Sequence, residues 1–295
     1  HKNSLDILGM EQRFDTNDFG AEYLGYIAYP NKECDGMPAA YYGVFPMLAS
    51  YKGKKILCAQ SGDTMTHKSH RKKGLFIKLA KMTYDTAKKE GIEFIFGFPS
   101  NDSFPGFKYK LNWLFPFKML KFSRFILTFP YGLTKKKLKF NTGKFGYFSN
   151  KYLNYINKSK KDPIEIWSKQ NNHNFEILRD KKYFFYKNSL PDNKYFLQNE
   201  NLAIFLKYDG NISIGSILGS VNKSDIKTIF KTLDFLAFMT GSVQIRTYFS
   251  PDSDLQKLLS PFGKISKAMP YGYINLSNRY DPSKLNLTFL DYDYF

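Results

Sequence analysis

The feature that most restricts the fold is an order of elements that occurs twice, 150 residues apart. In the first copy, two runs rich in aromatic and β-branched residues, 39–51 and 55–65, precede a helical pattern that ends at Gly91. In the second copy, two such runs within 202–219 precede a helical pattern that ends at Gly241. This order predicts an internal duplication and an α/β chain of two similar lobes, each a mixed, mostly antiparallel sheet flanked by helices.

Both helical patterns are amphipathic. From Gly74 onward, apolar residues recur at intervals of three and four with lysines mostly opposite, and residues 224–241 repeat the pattern with Ser224 or Asp225 as the expected cap. A glycine after the last turn is typical of a helix end. The other predicted elements are strands at 21–29, 92–99 and 242–249, helices at 107–115 and 254–263, and a strand-like segment at 181–186.

The two copies divide the chain into three predicted regions. Residues 1–120 hold the first lobe, 121–175 form a Lys- and Asn-rich connection, and 176–295 hold the second lobe. Between strand and helix the first copy reads HRKKGLF, whereas the second reads GSVNKSDI, which has no arginine and no basic cluster. The second lobe is therefore expected to be a degenerate copy of the first.

The composition restricts the class of protein. The chain has 295 residues and 43% hydrophobic content, enough for a packed core, and contains no run of about 18 apolar residues that would predict a membrane-spanning helix. Its first residues lack the apolar core of a signal peptide, and Cys34 and Cys58 form no disulfide framework, which fits the cytoplasm. Cys58 is expected in the core. Four histidines without close Cys/His pairs do not predict a zinc site.

The net charge of +18 has more than one explanation. Six of the 44 basic residues are arginine, and the Lys-rich usage accompanies many Asn, Tyr, Phe and Ile residues, which indicates a compositional bias. A functional charge would instead indicate phosphate-bearing small ligands or nucleic acid. The run TKKKLKF, residues 134–140, is expected to be a solvated loop or helix end.

One basic cluster differs from the rest by its position. Arg71, Lys72 and Lys73 directly precede Gly74 and the first amphipathic helix. A helix N-terminus presents unpaired backbone N–H groups and a partial positive charge, and a glycine there lets the backbone approach an anion closely. The cluster therefore predicts an anion site. The simpler alternative is a basic loop that caps a surface helix.

The first lobe contains the ordered string AQSGDTMTH…RKKGLF…LA…GIEFIFGFPS…GF…KLNW. Through this string, roughly residues 22–115 resemble the GNAT superfamily of N-acyltransferases. The usual loop there is Arg or Gln, two residues, Gly, one residue, and Gly or Ala; here a phenylalanine stands at the last position. The resemblance implies acyl-CoA as the co-substrate, no metal, a strand that pairs with the pantetheine arm, and a loop that binds the pyrophosphate. The residues it assigns to acyl-CoA are Thr64, Met65, Thr66, Arg71, Lys72, Lys73, Gly74, Leu75, Phe76 and Asn101.

The resemblance also implies catalytic roles. Where the family often has a tyrosine that protonates the departing thiolate, this chain has Lys108, with Tyr109 one residue along; either would be the acid, or the thiolate leaves unaided. The acceptor amine must lose a proton before attack. Asp63 is the first candidate base, or else a carboxylate that stabilises a turn or bulge; Asp102 and His67 follow, and a water relay is a further alternative.

The branch of the family that the string resembles acts in surface-polysaccharide and amino-sugar pathways. It implies transfer of an acetyl or 3-hydroxybutanoyl group to the amine of a nucleotide-linked amino sugar, foremost a dTDP-3-amino-3,6-dideoxyhexose or its 4-amino relative, for O-antigen (lipopolysaccharide) or capsule synthesis. The second lobe would then form a wall of the acceptor site. The sequence specifies no oligomeric state.

Two functions of other kinds stay open. A Fem-type transferase that uses aminoacyl-tRNA also has two GNAT-like lobes, although the intact CoA loop argues against it. A non-catalytic module for RNA or an anionic glycan is the other. Because the chain has no RNP-like aromatic motif and no Arg-rich segment, a nucleic-acid partner is not expected.

Overall fold

The structure is a computed structural model that describes residues 7–31, 36–128, 174–189, 194–198, 202–219, 223–251 and 253–292. The helices are α1 (Ile7–Phe14), α2 (Leu75–Lys89), α3 (Phe104–Lys110), α4 (Lys181–Ser189), α5 (Lys223–Thr240) and α6 (Asp254–Leu259). The strands are β1 (Leu24–Ala28), β2 (Ala40–Tyr51), β3 (Lys54–Thr66), β4 (Phe94–Gly97), β5 (Leu114–Phe125), β6 (Phe175–Ile177), β7 (Lys194–Gln198), β8 (Leu202–Tyr208), β9 (Ile212–Gly219), β10 (Gln244–Phe249) and β11 (Lys264–Asn275). Cys34, the run 134–140 and most of the predicted connection lie outside the described residues.

The chain divides into two compact units. One unit contains the described residues within 1–118, 173–178 and 269–285, and the other contains those within 119–172, 179–268 and 286–295. The limits of the two lobes and of the connecting region, expected at residues 120 and 175, stay a prediction.

The first unit is built on a mixed sheet with the strand order β1-β2-β3-β4-β11. β2 pairs antiparallel with β1, β3 and β6, β4 pairs antiparallel with β11, and β3 and β4 are parallel. The apolar stripe predicted for α2 packs on one face of this sheet, which confirms the helix. Its members are Phe76, Leu79, Ala80, Thr83 and Ala87.

The second unit repeats this arrangement of elements. Its sheet order is β5-β10-β9-β8-β7; β9 and β10 are parallel, and the other described pairs are antiparallel. The stripe predicted for α5 is buried in the core of the unit. Its members are Ile226, Ile229, Phe230, Leu233 and Leu236. The predicted cap is wrong, because the helix begins at Lys223 and therefore includes Ser224 and Asp225.

The two helices end in the same way. At the end of α2, Gly91 has φ 80° and its N–H donates to Lys88 at 3.2 Å, while Ile92 N–H donates to Ala87 at 2.9 Å. At the end of α5, Gly241 has φ 66°, and the corresponding distances are 3.2 Å and 2.8 Å at positions shifted by 150 residues. Glycine adopts this left-handed conformation without the cost that a side chain brings. The shared geometry agrees with the internal duplication that the sequence predicts.

Two predicted elements are wrong. The helix at 107–115 ends earlier, because Asn112 takes the left-handed conformation at φ 55° and β5 then begins at Leu114. The strand-like segment at 181–186 is helical, because Asp180 caps it: its carboxylate accepts from the backbone N–H of Tyr183 at 3.1 Å. In both cases a local polar residue outweighs the aromatic and apolar run beside it.

A buried ion pair fixes the end of the described chain within the second unit. Arg179 donates through Nε and Nη2 to the two carboxylate oxygens of Asp291, at 3.0 and 2.5 Å, and the two side chains are 5% and 0% exposed. Tyr183 Oη also donates to this carboxylate, at 3.1 Å, and the Thr288 backbone N–H donates at 2.7 Å.

Among the described residues, no helix is long and apolar enough to cross a membrane.

Candidate active site

The parallel strands β3 and β4 separate towards their carboxyl ends, and the space that opens between them is called the wedge below. Their parallel pairing covers Ala59 with Ile95 and Gln60 with Phe96. Beyond this point β3 stays paired with β2 as far as Thr66, and β4 stays paired with β11 at Gly97. Each strand therefore keeps its outer neighbour while it leaves its inner one. Beyond Ser61 the facing backbone edge of β3, residues 62–66, has no paired strand among the described residues, so a ligand can pair there as an extra strand.

The basic loop follows directly on this open edge. After β3, a short turn at Lys68–His70 leads to Arg71, Lys72 and Lys73, all exposed, and to Gly74 at φ 73°, from which α2 begins. The first helical hydrogen bond runs from Lys78 N–H to Gly74 O, so the preceding N–H groups of the helix are available to an anion. The sequence from 64 to 84 has no carboxylate. No residue of this stretch therefore offsets the positive charge of the loop.

Phe76, where the usual loop has a small residue, packs beneath the helix rather than towards the loop. Its ring lies 5.1 Å from that of Phe107 and 5.8 Å from that of Tyr42, centroid to centroid. Gly106 makes room for it: a Cβ at that position would lie 2.6 Å from Phe76 Cε1. The departure from the usual loop is therefore accommodated in the core of the unit by a glycine in α3.

Gly106→Ala is expected to destabilise the protein although alanine favours helices. Overpacking against the Phe76 ring lowers the free energy of unfolding by about 1–3 kcal/mol, whereas the better helix propensity of alanine raises it by about 1 kcal/mol. In a Phe76→Leu background the clash is relieved, so the same substitution should become neutral or stabilising. Urea unfolding of the four proteins in this cycle measures the coupling; additive effects would contradict the packing of Phe76 against Gly106.

A β-bulge turns Asp63 to the other face of the sheet. Gly43 pairs with Gly62 and Tyr41 with Met65, so Asp63 and Thr64 together oppose Tyr42. Asp63 has φ 50°, and its Oδ1 accepts from Arg13 Nη2 at 2.7 Å. A bulge changes the direction of a side chain in this way. The first candidate base is therefore held in an ion pair with α1, which also fits the alternative of a carboxylate that stabilises the bulge.

Polar and aromatic side chains surround this ion pair. The Arg13 guanidinium lies 5.3 Å from the centre of the Phe45 ring, and Tyr23 and Tyr41 are hydrogen-bonded through their hydroxyls. Burial, followed by the charge of Asp63, raises the pKa of Tyr41 well above its usual value, so its hydroxyl stays protonated. This face therefore presents both charged and hydroxyl groups next to the wedge.

Gln60 lies on the same face, at the last paired position before the strands diverge. It is 1% exposed, and within the described part of the chain neither its amide nitrogen nor its amide oxygen has a hydrogen-bond partner. An unpaired buried amide is costly, so native structures nearly always give such a group a partner. An ordered water or a bound acceptor would satisfy it.

A chain of hydrogen bonds crosses the opposite, α2-facing side of the sheet. Trp113 Nε1 donates to Tyr84 Oη at 2.9 Å, the Tyr84 and Tyr42 hydroxyls are 3.1 Å apart, and Tyr42 Oη lies 2.8 Å from Ser61 Oγ. Burial raises the pKa of Tyr42 to about 12 and that of Tyr84 well above its usual value. Both hydroxyls are therefore neutral donors near neutral pH. Ser61 ends the chain one residue beyond Gln60.

The other candidate site residues lie on exposed turns and on α3. Lys108 and Tyr109 are exposed on α3, with the Lys108 ammonium 5.4 Å from the Tyr109 ring centre. Asn101 and Asp102 are exposed in the turn after β4. His67 caps the turn that precedes the basic loop, since its Nδ1 accepts from Ser69 N–H at 3.4 Å. A structural contact thus accounts for His67, whereas the roles of the other four stay predictions.

Cys58 has the core position that the sequence predicts: it is buried, and its Sγ lies 3.4 Å from the Met47 carbonyl oxygen. Arg13, Ser61 and the tyrosines were not predicted from the sequence. The available signal for Ser61 was a serine next to a glycine in the middle of a predicted strand. Among the described residues there is no group of three or more His, Cys, Asp or Glu side chains that could hold a metal ion.

The wedge between β3 and β4, the basic loop and the helix that follows give the first unit a GNAT-like fold. Residues 26–115 match the family model described as the acetyltransferase (GNAT) domain. No curated protein sequence matches the chain.

Solved structures share the fold. A GCN5-related N-acetyltransferase from Kribbella flavida superimposes with a TM-score of 0.52 at 10% identity, over 81% of this chain and 57% of its own. A conserved protein of unknown function from Enterococcus faecalis V583 superimposes with a TM-score of 0.55 at 10% identity, over 93% of this chain and 67% of its own. The chain thus spans roughly three fifths to two thirds of these structures. At such identities the likeness confirms the α/β, GNAT-like fold alone.

Proposed function

We propose that the chain is an N-acyltransferase that moves an acetyl or 3-hydroxybutanoyl group from acyl-CoA to the amine of a nucleotide-linked amino sugar. The observation that supports acyl-CoA binding is the wedge. The pairing of β3 with β4 ends at Gln60, and β3 is followed by a basic loop at the N-terminus of α2. The pantetheine arm pairs with Thr64–Thr66 there. The pyrophosphate binds the N–H groups and cations at 71–76, and Asn101 contacts the arm.

The acceptor half of the proposal relies on the opposite face of the sheet. Asp63, its partner Arg13 and the hydroxyls of Tyr23 and Tyr41 offer hydrogen bonds to an amino sugar, and Phe45 offers an aromatic surface. Attack requires the neutral amine, whose proton leaves to Asp63 or to water. The dTDP-3-amino-3,6-dideoxyhexose that the sequence favours fits this mixture of groups, and the net charge of +18 suits its diphosphate.

Thiol release tests the proposal. The protein is incubated with acetyl-CoA or 3-hydroxybutanoyl-CoA and a panel of dTDP- and UDP-linked amino sugars, and free CoA is followed with a thiol reagent. Signal from Cys34 and Cys58 is subtracted with a sample that lacks acceptor. Release that depends on the acceptor is expected, together with its loss in Gly74→Glu, which adds a carboxylate and a strained side chain where φ is 73°.

Two negative outcomes have different meanings. If the protein binds CoA but releases thiol with none of the sugars, the acceptor class is wrong and the transferase class stands. If CoA gives neither binding nor thermal stabilisation, the transferase proposal fails. Salt-sensitive binding of tRNA or an anionic glycan would then support the alternatives of a Fem-type transferase or a binding module.

A further inference from the structure

The hydrogen-bond chain from Trp113 to Ser61 has one direction in which every buried hydroxyl is satisfied. The indole Nε1–H only donates, so Tyr84 Oη accepts from it at 2.9 Å. The Tyr84 hydroxyl is buried and needs an acceptor for its own hydrogen, and the Tyr42 oxygen lies 3.1 Å away. Tyr42 must therefore donate onward to Ser61 Oγ, at 2.8 Å.

Ser61 consequently keeps its own hydroxyl hydrogen for a further acceptor. Its side chain is partly buried, and its position is the first in β3 beyond the last residue paired with β4. The side chain lies on the face of the sheet that carries α2, since Tyr42 and Tyr84 pack there against Phe76 and Leu79. Under the proposed function, CoA bound by its pyrophosphate to the basic loop at the start of α2 would extend its pantetheine arm into the wedge from this face.

Asp63 lies on the opposite face, because the bulge turns its carboxylate towards Arg13. The two polar groups therefore lie on opposite sides of the strand, within two residues of each other. Under the proposed function, an amine beside Asp63 would attack the thioester from that face, which would place the CoA sulfur on the side of Ser61.

We propose that Ser61 Oγ–H is a catalytic hydrogen-bond donor to the CoA sulfur and that Tyr42 and Tyr84 are its positioning residues. This inference rests on the proposed function. The amine nitrogen forms the new C–N bond, the C–S bond breaks, and its electron pair stays on sulfur as a thiolate that Ser61 stabilises. The extra proton of the amine leaves to Asp63 or water, and the thiolate takes up a proton from water as CoA departs. The assignment replaces the need for an acid at Lys108 or Tyr109.

The test uses CoA itself and needs no acceptor. The pKa of the bound thiol is measured from thiolate absorbance in a pH titration of the protein with CoA, minus the same titration with desulfo-CoA, which removes the tyrosine signal. A hydrogen bond to a charged group is expected to lower the thiol pKa, so Ser61→Ala should raise it by about one to two pH units. Tyr42→Phe should raise it less, because Ser61 keeps its hydroxyl but loses its orienting donor.

Matched controls separate this role from a structural one. Ser50→Ala, at the far end of β2, and Tyr26→Phe, whose hydroxyl bonds Thr86 at 2.8 Å, should leave the thiol pKa unchanged. Binding of desulfo-CoA by calorimetry shows that each variant is folded. Equal thiol pKa values in the unaltered protein and Ser61→Ala would overturn the inference. Absence of CoA binding by the unaltered protein would overturn the proposed function, and this inference with it.

Discussion

Asp291→Ala is expected to lower the free energy of unfolding by about 3–5 kcal/mol. The substitution leaves the Arg179 guanidinium, 5% exposed, without the carboxylate that faces it at 2.5 and 3.0 Å. The Thr288 N–H loses this acceptor as well, and the Tyr183 hydroxyl loses its bond to the carboxylate but keeps the Leu290 carbonyl at 3.2 Å. Desolvation of the cation accounts for most of the loss, because a buried charge that loses its ion-pair partner costs more than the ion pair gains over well-packed apolar side chains.

The same unit offers a matched control. Arg124 and Asp234 form the same two-point contact, with Nε and Nη2 at 2.7 and 2.6 Å from the carboxylate oxygens, but both side chains are about a third exposed. Water replaces the lost partner there, so Asp234→Ala should cost about 1 kcal/mol or less. Calorimetry and urea unfolding measure both variants. Equal losses would contradict the role of burial, whereas recovery in Arg179→Met with Asp291→Leu would support it.

The sequence predicts those features whose signals are local. The α2 helix, its glycine at each end and the basic loop follow from residues adjacent in the chain, and the structure has all of them. The repeat in the second unit follows for the same reason, since the intervals of strand, helix and glycine are visible along the chain. Where the prediction fails, at Asn112 and Asp180, a single polar residue sets a helix end within an aromatic stretch.

The candidate site was only partly predictable because it depends on distant pairs. The wedge exists because β4 pairs with residues 272–275, about 180 positions further along the chain. Arg13 meets Asp63 across 50 residues, and the hydrogen-bond chain that ends at Ser61 joins two strands, a helix and Trp113. Periodicity and composition do not predict contacts between distant residues. The sequence therefore indicates Asp63 as the candidate base but does not predict its ion pair with Arg13.

Arg71→Glu combined with Lys73→Glu is expected to weaken CoA binding about a hundredfold or more. Both side chains are exposed at the start of α2, in a stretch without carboxylates, and each hydrogen bond to a phosphate is worth about 1.5–3 kcal/mol. The substituted glutamates also repel the pyrophosphate. Calorimetric titration with CoA measures the effect, and desulfo-CoA, which keeps the phosphates, should lose the same factor.

Lys88→Glu combined with Lys89→Glu changes the net charge equally and lies in the last turn of the same helix, where both lysines are exposed. This control should alter the affinity by less than a few-fold, because exposed charges separated by the length of the helix are largely screened. The difference between the two double variants should shrink as salt is added. If both variants weaken CoA equally, the charge acts through the overall field and the loop at 71–74 is no pyrophosphate site. A loss confined to the first variant supports direct contact, as the helix N-terminus and the open edge of β3 require.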